Sequence, residues 1–166
     1  YDDEELSEVV VKQLKEKELK LSSAESCTGG LFASCITDVP GASSVFSYGF
    51  VTYSAAAKSE ILDVDIEVIE NHSVVSAEVA ILMAKGAQNA ANSDISVSVT
   101  GYAGPEADPG RDNGNAYIGY SCSERFGEKC GYVEINTKRS DRKWNRNYFK
   151  LRMLLVVYEI LNGKLS

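Results

Sequence analysis

Apolar residues recur along this chain with two different periods, and the switching between them outlines an α/β protein. Leu6, Val9, Val10 and Leu14 share one face of a predicted helix over residues 2–17. Its acids come first and its lysines last, matching the helix dipole. Leu19 to Ala24 alternates apolar and polar residues and reads as a strand. Gly29-Gly30 opens a helical run from Leu31 to Ile36, which Asp38-Val39-Pro40-Gly41 stops. A short helical turn at 43–46 precedes Tyr48 to Tyr53, rich in aromatic and β-branched residues and so a second strand.

Helices are predicted at 55–62 and 66–71, and Ser76 can N-cap a long helix through Ala91 with Glu78 in its first turn. Asp94 to Thr100 forms a third, central strand. Residues 101–114 hold six of the chain's Gly and Pro residues, a loop too long for an idle connection. Residues 116–121 and 130–137 read as a strand pair, and Ser140 caps a closing helix that runs to Leu161, with Gly163 after it. The order predicts a three-layer α/β/α sandwich around a mixed sheet of roughly five strands. With no internal repeat or linker, residues 1–166 form one expected domain.

Composition narrows the function classes. Apolar residues make up 44% of the 166, enough for a core without staples. A net charge of −7 repels a phosphate backbone, so no nucleic-acid partner is expected. An anionic ligand would need a local site, built from helix N-termini or a few cations. Cys27, Cys35, Cys122 and Cys130 form no CxxC pair and His72 is the single histidine, so no metal site and no cofactor are expected. The cysteines read as reduced residues of a cytoplasmic protein. No apolar run is long enough for a membrane span. The start at Tyr1 without a Met fits a segment of a longer protein.

Candidate chemistry gathers where strands meet glycine-rich turns. Ala24-Glu25-Ser26-Cys27-Thr28-Gly29-Gly30 joins a strand to a helix, and its backbone N–H groups can hold phosphate or an oxyanion. The alternative is a plain turn capped by Ser26 or Thr28. Ser43 either caps a short turn or serves as a nucleophile. Tyr53 ends a strand, and Lys58 lies about one turn into the next helix, where burial beside a serine would make it a base. Thr100-Gly101-Tyr102-Ala103-Gly104-Pro105 repeats the strand-to-glycine-loop pattern. Arg142 and Arg146 share a face of the last helix. Arg142 opposes the dipole there, which calls for Asp141, Glu134 or a ligand phosphate beside it.

AESCTGG, GASSVFSYGFVTYSAAAKSEIL, VSAEVAILMAKGA, VSVTGYAGP and RSDRKWNR together resemble the C-terminal domain of CinA. The resemblance covers nearly the whole chain. That family includes nicotinamide-nucleotide amidohydrolases, and it implies a three-layer fold and hydrolysis of nicotinamide mononucleotide to nicotinic acid mononucleotide and ammonia. The implied catalysis is of the Ser/Lys type without a metal, with functional positions at Ser26, Ser43, Tyr53, Lys58, Thr100 and Arg142. Either Ser43 or Ser26 would attack after Lys58 takes its proton, and the expectation leans to Ser43. Ser26, Thr28, Gly29 and Gly30 would then face the substrate with Gly101 and Gly104, and Arg142 would clamp its phosphate or carboxamide. A homodimer is also expected.

The chain departs from the resembled pattern in two places. Residues 106–115 lack the family's Lys-Pro-Val portion, with Asn115 where Thr would stand, and Ser73 stands where the family tends to have Gly. An altered loop favours a second reading, a nucleotide-binding or interaction domain without catalysis. CinA proteins often join this module to a further N-terminal domain. A third reading is a cysteine amidohydrolase using Cys27 with His72.

Overall fold

The computed structural model describes residues 3–165. In chain order the elements are α1 (Asp3–Glu16), β1 (Leu21–Glu25), α2 (Leu31–Thr37), β2 (Phe46–Val51), α3 (Ala55–Leu62) and α4 (Ile66–His72). There follow α5 (Ala77–Ala91), β3 (Ile95–Gly101), β4 (Asn115–Cys122), β5 (Cys130–Asn136) and α6 (Arg142–Leu161). Short 3-10 turns stand at Ala42–Ser44 and Glu124–Phe126, the second of which sequence patterning missed. Asp2, predicted to open the first helix, lies outside the described residues.

One five-stranded sheet runs in the order β2-β1-β3-β4-β5. β1 pairs in parallel with both β2 and β3, and β4 runs antiparallel to β3 and β5, so the predicted mixed sheet is the observed one. Helices α1, α2 and α6 cover one face and α3, α4 and α5 the other.

The residue pattern of β3 explains how both faces close. Ile95, Val97 and Val99 are fully buried in the core shared with α1, α2 and α6. Ser96, Ser98 and Thr100 alternate with them and are also fully buried. Their small side chains let the other helix layer come close, and two of the three hydroxyls find acceptors there. Ser98 donates to Ala80 O at 2.5 Å and Thr100 to Val74 O at 2.8 Å. α5 suits that face because Ala80, Ala84 and Ala87 lie on its buried side. On the opposite face α6 buries Phe149, Met153, Leu154, Val157 and Ile160 at helical spacing.

The direction of the strands decides which loops meet. The carboxyl ends of β1, β2 and β3, the start of β4 and the end of β5 share one edge of the sheet. From β1 the chain leaves through α2 to one face, and from β2 through α3 to the other. Such a divergence opens a crevice beyond the strand ends, the usual ligand position in α/β sheets.

Phe149 is fully buried in the α6 layer. Its truncation in Phe149→Ala should cost about 3–5 kcal/mol of unfolding free energy in a urea titration.

Candidate active site

At the crevice between β1 and β2 stands Lys58, wholly buried one turn into α3. Ser54 caps that helix through the Ala57 N–H, which points Lys58 inward. Its Nζ donates to Ser26 Oγ at 2.8 Å, Thr52 O at 2.6 Å and Tyr53 O at 3.4 Å. No carboxylate pairs with it among the described residues. Burial lowers its pKa from 10.5 to about 8, and the neighbouring Cys27 pulls only weakly the other way. Two of the three partners are carbonyls, which can only accept. A neutral amine keeps two N–H bonds for them and turns its lone pair to Ser26, the one partner with a proton to give.

Ser26 follows β1 and is nearly buried, at 7% exposure. Its loop is gripped from both sides. The Glu25 carboxylate accepts from Thr28 Oγ1 at 2.7 Å, Phe32 N at 2.9 Å and Ala33 N at 3.1 Å. It thus caps α2, whose own N-cap residue, Gly30, has no side chain for the task. From α6, Arg146 donates to Cys27 O at 2.9 Å and Thr28 O at 3.0 Å. Among the described residues no backbone acceptor pairs with the N–H groups of Cys27, Thr28 and Gly30. Gly29 has φ 61, and a Cβ there would press on the Arg146 guanidinium.

Tyr53 and Arg142 form the outer rim. Arg142 donates to Gly104 O at 2.8 Å and to the Tyr53 hydroxyl at 3.1 Å. Both side chains lie toward solvent, Tyr53 at 64% exposure, which leaves further guanidinium N–H groups for a ligand. The sequence allowed Asp141 or Glu134 as the counter-ion of Arg142; instead a carbonyl and a phenol hold it. Gly104 (φ 97) lets the loop after β3 lie against Ser140, where a Cβ would come within 2.5 Å of the Ser140 carbonyl oxygen. Beneath this contact the fully buried Asn145 donates to Ala103 O and Arg139 O, both at 2.8 Å, and accepts from Thr137 Oγ1 at 2.7 Å.

Of the residues singled out from sequence, Ser26, Tyr53, Lys58, Gly104 and Arg142 meet at this edge. Thr28, Gly29 and Gly30 shape the loop beside Ser26. Thr100 and Gly101 end β3, with Thr100 spent on holding Val74 O. Ser43 does not join them. It lies in the 3-10 turn before β2, level with the start of β1, where Lys20 Nζ bonds Ser44 O. Six residues of β2 at about 3.3 Å each put it on the order of 20 Å from the β2 exit. The serine in hydrogen-bond contact with Lys58 is therefore Ser26, not Ser43, to which the expectation leaned.

Smaller expectations also shift. Asp141, not Ser140, caps α6, accepting from Trp144 N at 3.0 Å. Asn145 was absent from the candidates, while Glu25 and Arg146 were named there without the capping and loop-holding roles they have. A strand-terminal acid before a helix lacking its own cap was the available signal for Glu25. Cys27 and His72 do not form a pair: His72 ends α4 and lies 3.7 Å from Glu78. Burial pushes the Cys27 thiol up to about 12, against the weaker pull of Arg142, Lys58 and Arg146. No cluster of three metal-binding side chains occurs among the described residues, and no helix there is long and apolar enough to cross a membrane.

The family model of the CinA C-terminal domain matches residues 3–161. A protein of Caldanaerobacter subterraneus subsp. tengcongensis bearing the name competence-damage inducible protein is 40% identical over 99% of the chain. One of Thermoanaerobacter sp. strain X514, with the same name, is 42% identical over 98%. The chain spans 38% of the length of each of these relatives. Among solved structures, the competence/damage inducible protein CihA of Agrobacterium tumefaciens superposes with a TM-score of 0.91 at 30% identity, covering 96% of both chains. A CinA superfamily protein of Klebsiella pneumoniae 700603 gives 0.91 at 26% identity, covering 98% of this chain and 99% of its own.

A thiol with its pKa near 12 stays protonated at neutral pH. Iodoacetamide at pH 8 should label the exposed Cys130 and leave Cys27 unmodified, as read by peptide mass spectrometry of the native protein.

Proposed function

The chain belongs to the CinA C-terminal domain family, and on that premise we propose that it hydrolyses the carboxamide of nicotinamide mononucleotide, with Ser26 as nucleophile and Lys58 as base. The observation that carries this reading is the surroundings of Lys58: two carbonyls, one serine hydroxyl and a pKa lowered to about 8. An amine so placed accepts a proton from Ser26 and from no other bonded neighbour.

The steps balance without an added reactant. Neutral Lys58 takes the Ser26 proton as Oγ bonds to the carboxamide carbon. The oxygen that gains charge meets the N–H groups of Thr28 and Gly30, in a loop that Glu25 and Arg146 hold in position before reaction. The C–N bond then breaks, and Lys58 returns the proton so that ammonia leaves. Water attacks the acyl-Ser26 ester, giving one proton to Lys58, which passes it to Ser26 Oγ as the acid departs. Arg142, steadied by Gly104 O and Tyr53, binds the substrate phosphate. The Tyr53 carbonyl accepts from Lys58, so one residue connects the base to the anion clamp.

Ammonia release from nicotinamide mononucleotide, measured with a metal chelator present, tests the reading. Ser26→Ala and Lys58→Met should each lose about a thousandfold or more in kcat while remaining folded by circular dichroism. Ser43→Ala should stay within about threefold of the parent, being a surface substitution away from the site. Loss in Ser43→Ala with retention in Ser26→Ala would reverse the assignment of the nucleophile.

A further inference from the structure

Four side chains form a column along the first half of α6. Arg139, just before the helix, lies over the Trp144 ring, 3.9 Å from its centroid. Trp144 stacks on Tyr148 at 5.0 Å and 15°. Arg152 closes the column 5.9 Å from the Tyr148 ring and donates to its hydroxyl at 3.2 Å. Arg142 and Trp144, two residues apart, project about 200° from each other around the helix, so the column faces away from the Arg142 rim.

Stacking on the rings holds both guanidiniums in place. No ion pair among the described residues includes either of them. Two ordered cations without a carboxylate stand out in a chain of net charge −7. Together with residues 134–137 the column lines a groove of about 350 Å³. Glu134 brings no charge to it, because its carboxylate accepts from Asn115 and Tyr117 on the sheet face opposite Ile135, which packs with α6.

The backbone of β5 supplies the second feature, since β5 ends the sheet. Cys122 N bonds Lys129 O and Thr137 N bonds Gly114 O. With a period of two, Gly131, Val133 and Ile135 then bond β4 as well. The N–H and C=O groups of Tyr132, Glu134 and Asn136 point outward, with no backbone partner among the described residues. Sheet edges are commonly closed by Lys, Pro or a bulge. Cys130–Asn136 contains neither residue and keeps an unbroken register with β4, whereas the other edge strand, β2, pairs through a register shift.

We propose that this groove takes an extended acidic peptide, added to β5 as a further strand with its carboxylates on Arg139 and Arg152. The ring spacings put the two guanidinium carbons no more than about 15 Å apart. Acids four residues apart on an extended strand share one face at about 13–14 Å, which matches that span. The residue midway between them then lies over Trp144 and Tyr148. A second copy of the chain would bring its own arginines against these, and a nucleobase would compete with Arg139 and Tyr148 for the Trp144 ring.

Trp144 is the only tryptophan of the chain, so its fluorescence reports on the groove directly. The probe is the acetylated, amidated peptide Thr-Glu-Thr-Val-Thr-Glu-Thr. It should change the emission saturably and shift the amide NMR signals of Tyr132, Glu134 and Asn136 in the same titration. Arg139→Gln and Arg152→Gln should each weaken binding about fivefold. Glu134→Pro, which removes an outward N–H and no bond to β4, should abolish it; the arginine variants keep the test decisive if this one does not fold. Absence of saturation, or equal binding of the same peptide with Lys in place of Glu, overturns the proposal. So does ADP saturating the signal where the peptide does not, or a stable dimer that masks the Tyr132–Asn136 amides. No readout needs turnover, so the result stands apart from the amidase reading.

Discussion

A lysine ammonium buried among oxygens that carry no charge is costly, and the site is arranged around that cost. Lys58 has Ser26 Oγ, Thr52 O and Tyr53 O as its partners. Two neutral carbonyls and a hydroxyl solvate a cation less well than water, so desolvation favours the neutral amine. A carboxylate in hydrogen-bond contact would restore the charge and remove the basis for the proposed role of Lys58 as a base. The nearest buried acid in sequence, Glu25, is turned to the other side of its strand. Its oxygens take three hydrogen bonds from Thr28 and the start of α2.

That division of labour follows from strand geometry. Successive side chains of β1 point to opposite faces, so Glu25 faces the α2 and α6 layer with Leu21, whereas Ala24 packs into the core of α3, α4 and α5. Ser26, just past the strand, can lie between the two layers and meet Lys58 coming from α3. Arg146 completes the arrangement from α6, turning the Cys27 and Thr28 carbonyls toward itself. The meeting of Ser26 and Lys58 is thus a consequence of two helices leaving adjacent parallel strands toward opposite faces.

Much of this was readable along the chain. Glycine-rich turns after β1 and β3, the strand ending near Tyr53 and the position of Lys58 one turn into a helix all follow from local pattern. The choice between Ser26 and Ser43 did not, because both stand near a turn and a helical start. Only the parallel pairing of β1 with β2 reveals that Ser43 and Tyr53 lie at opposite edges of the sheet. The partners of Arg142 and the role of Asn145 depend on the loop after β3 folding back on α6, contacts separated by about forty residues in sequence.

The state of Lys58 is the point on which the account rests, and its titration by NMR of the side-chain amine in the folded protein measures it directly. A lysine whose folded pKa lies below its ordinary value is neutral above that pKa and gains its proton as pH falls through it. A midpoint near pH 8, moving when Ser26 is replaced by alanine, is the predicted result. A midpoint at the ordinary 10.5 or above would mean that Lys58 stays charged at working pH and would contradict its assignment as the base.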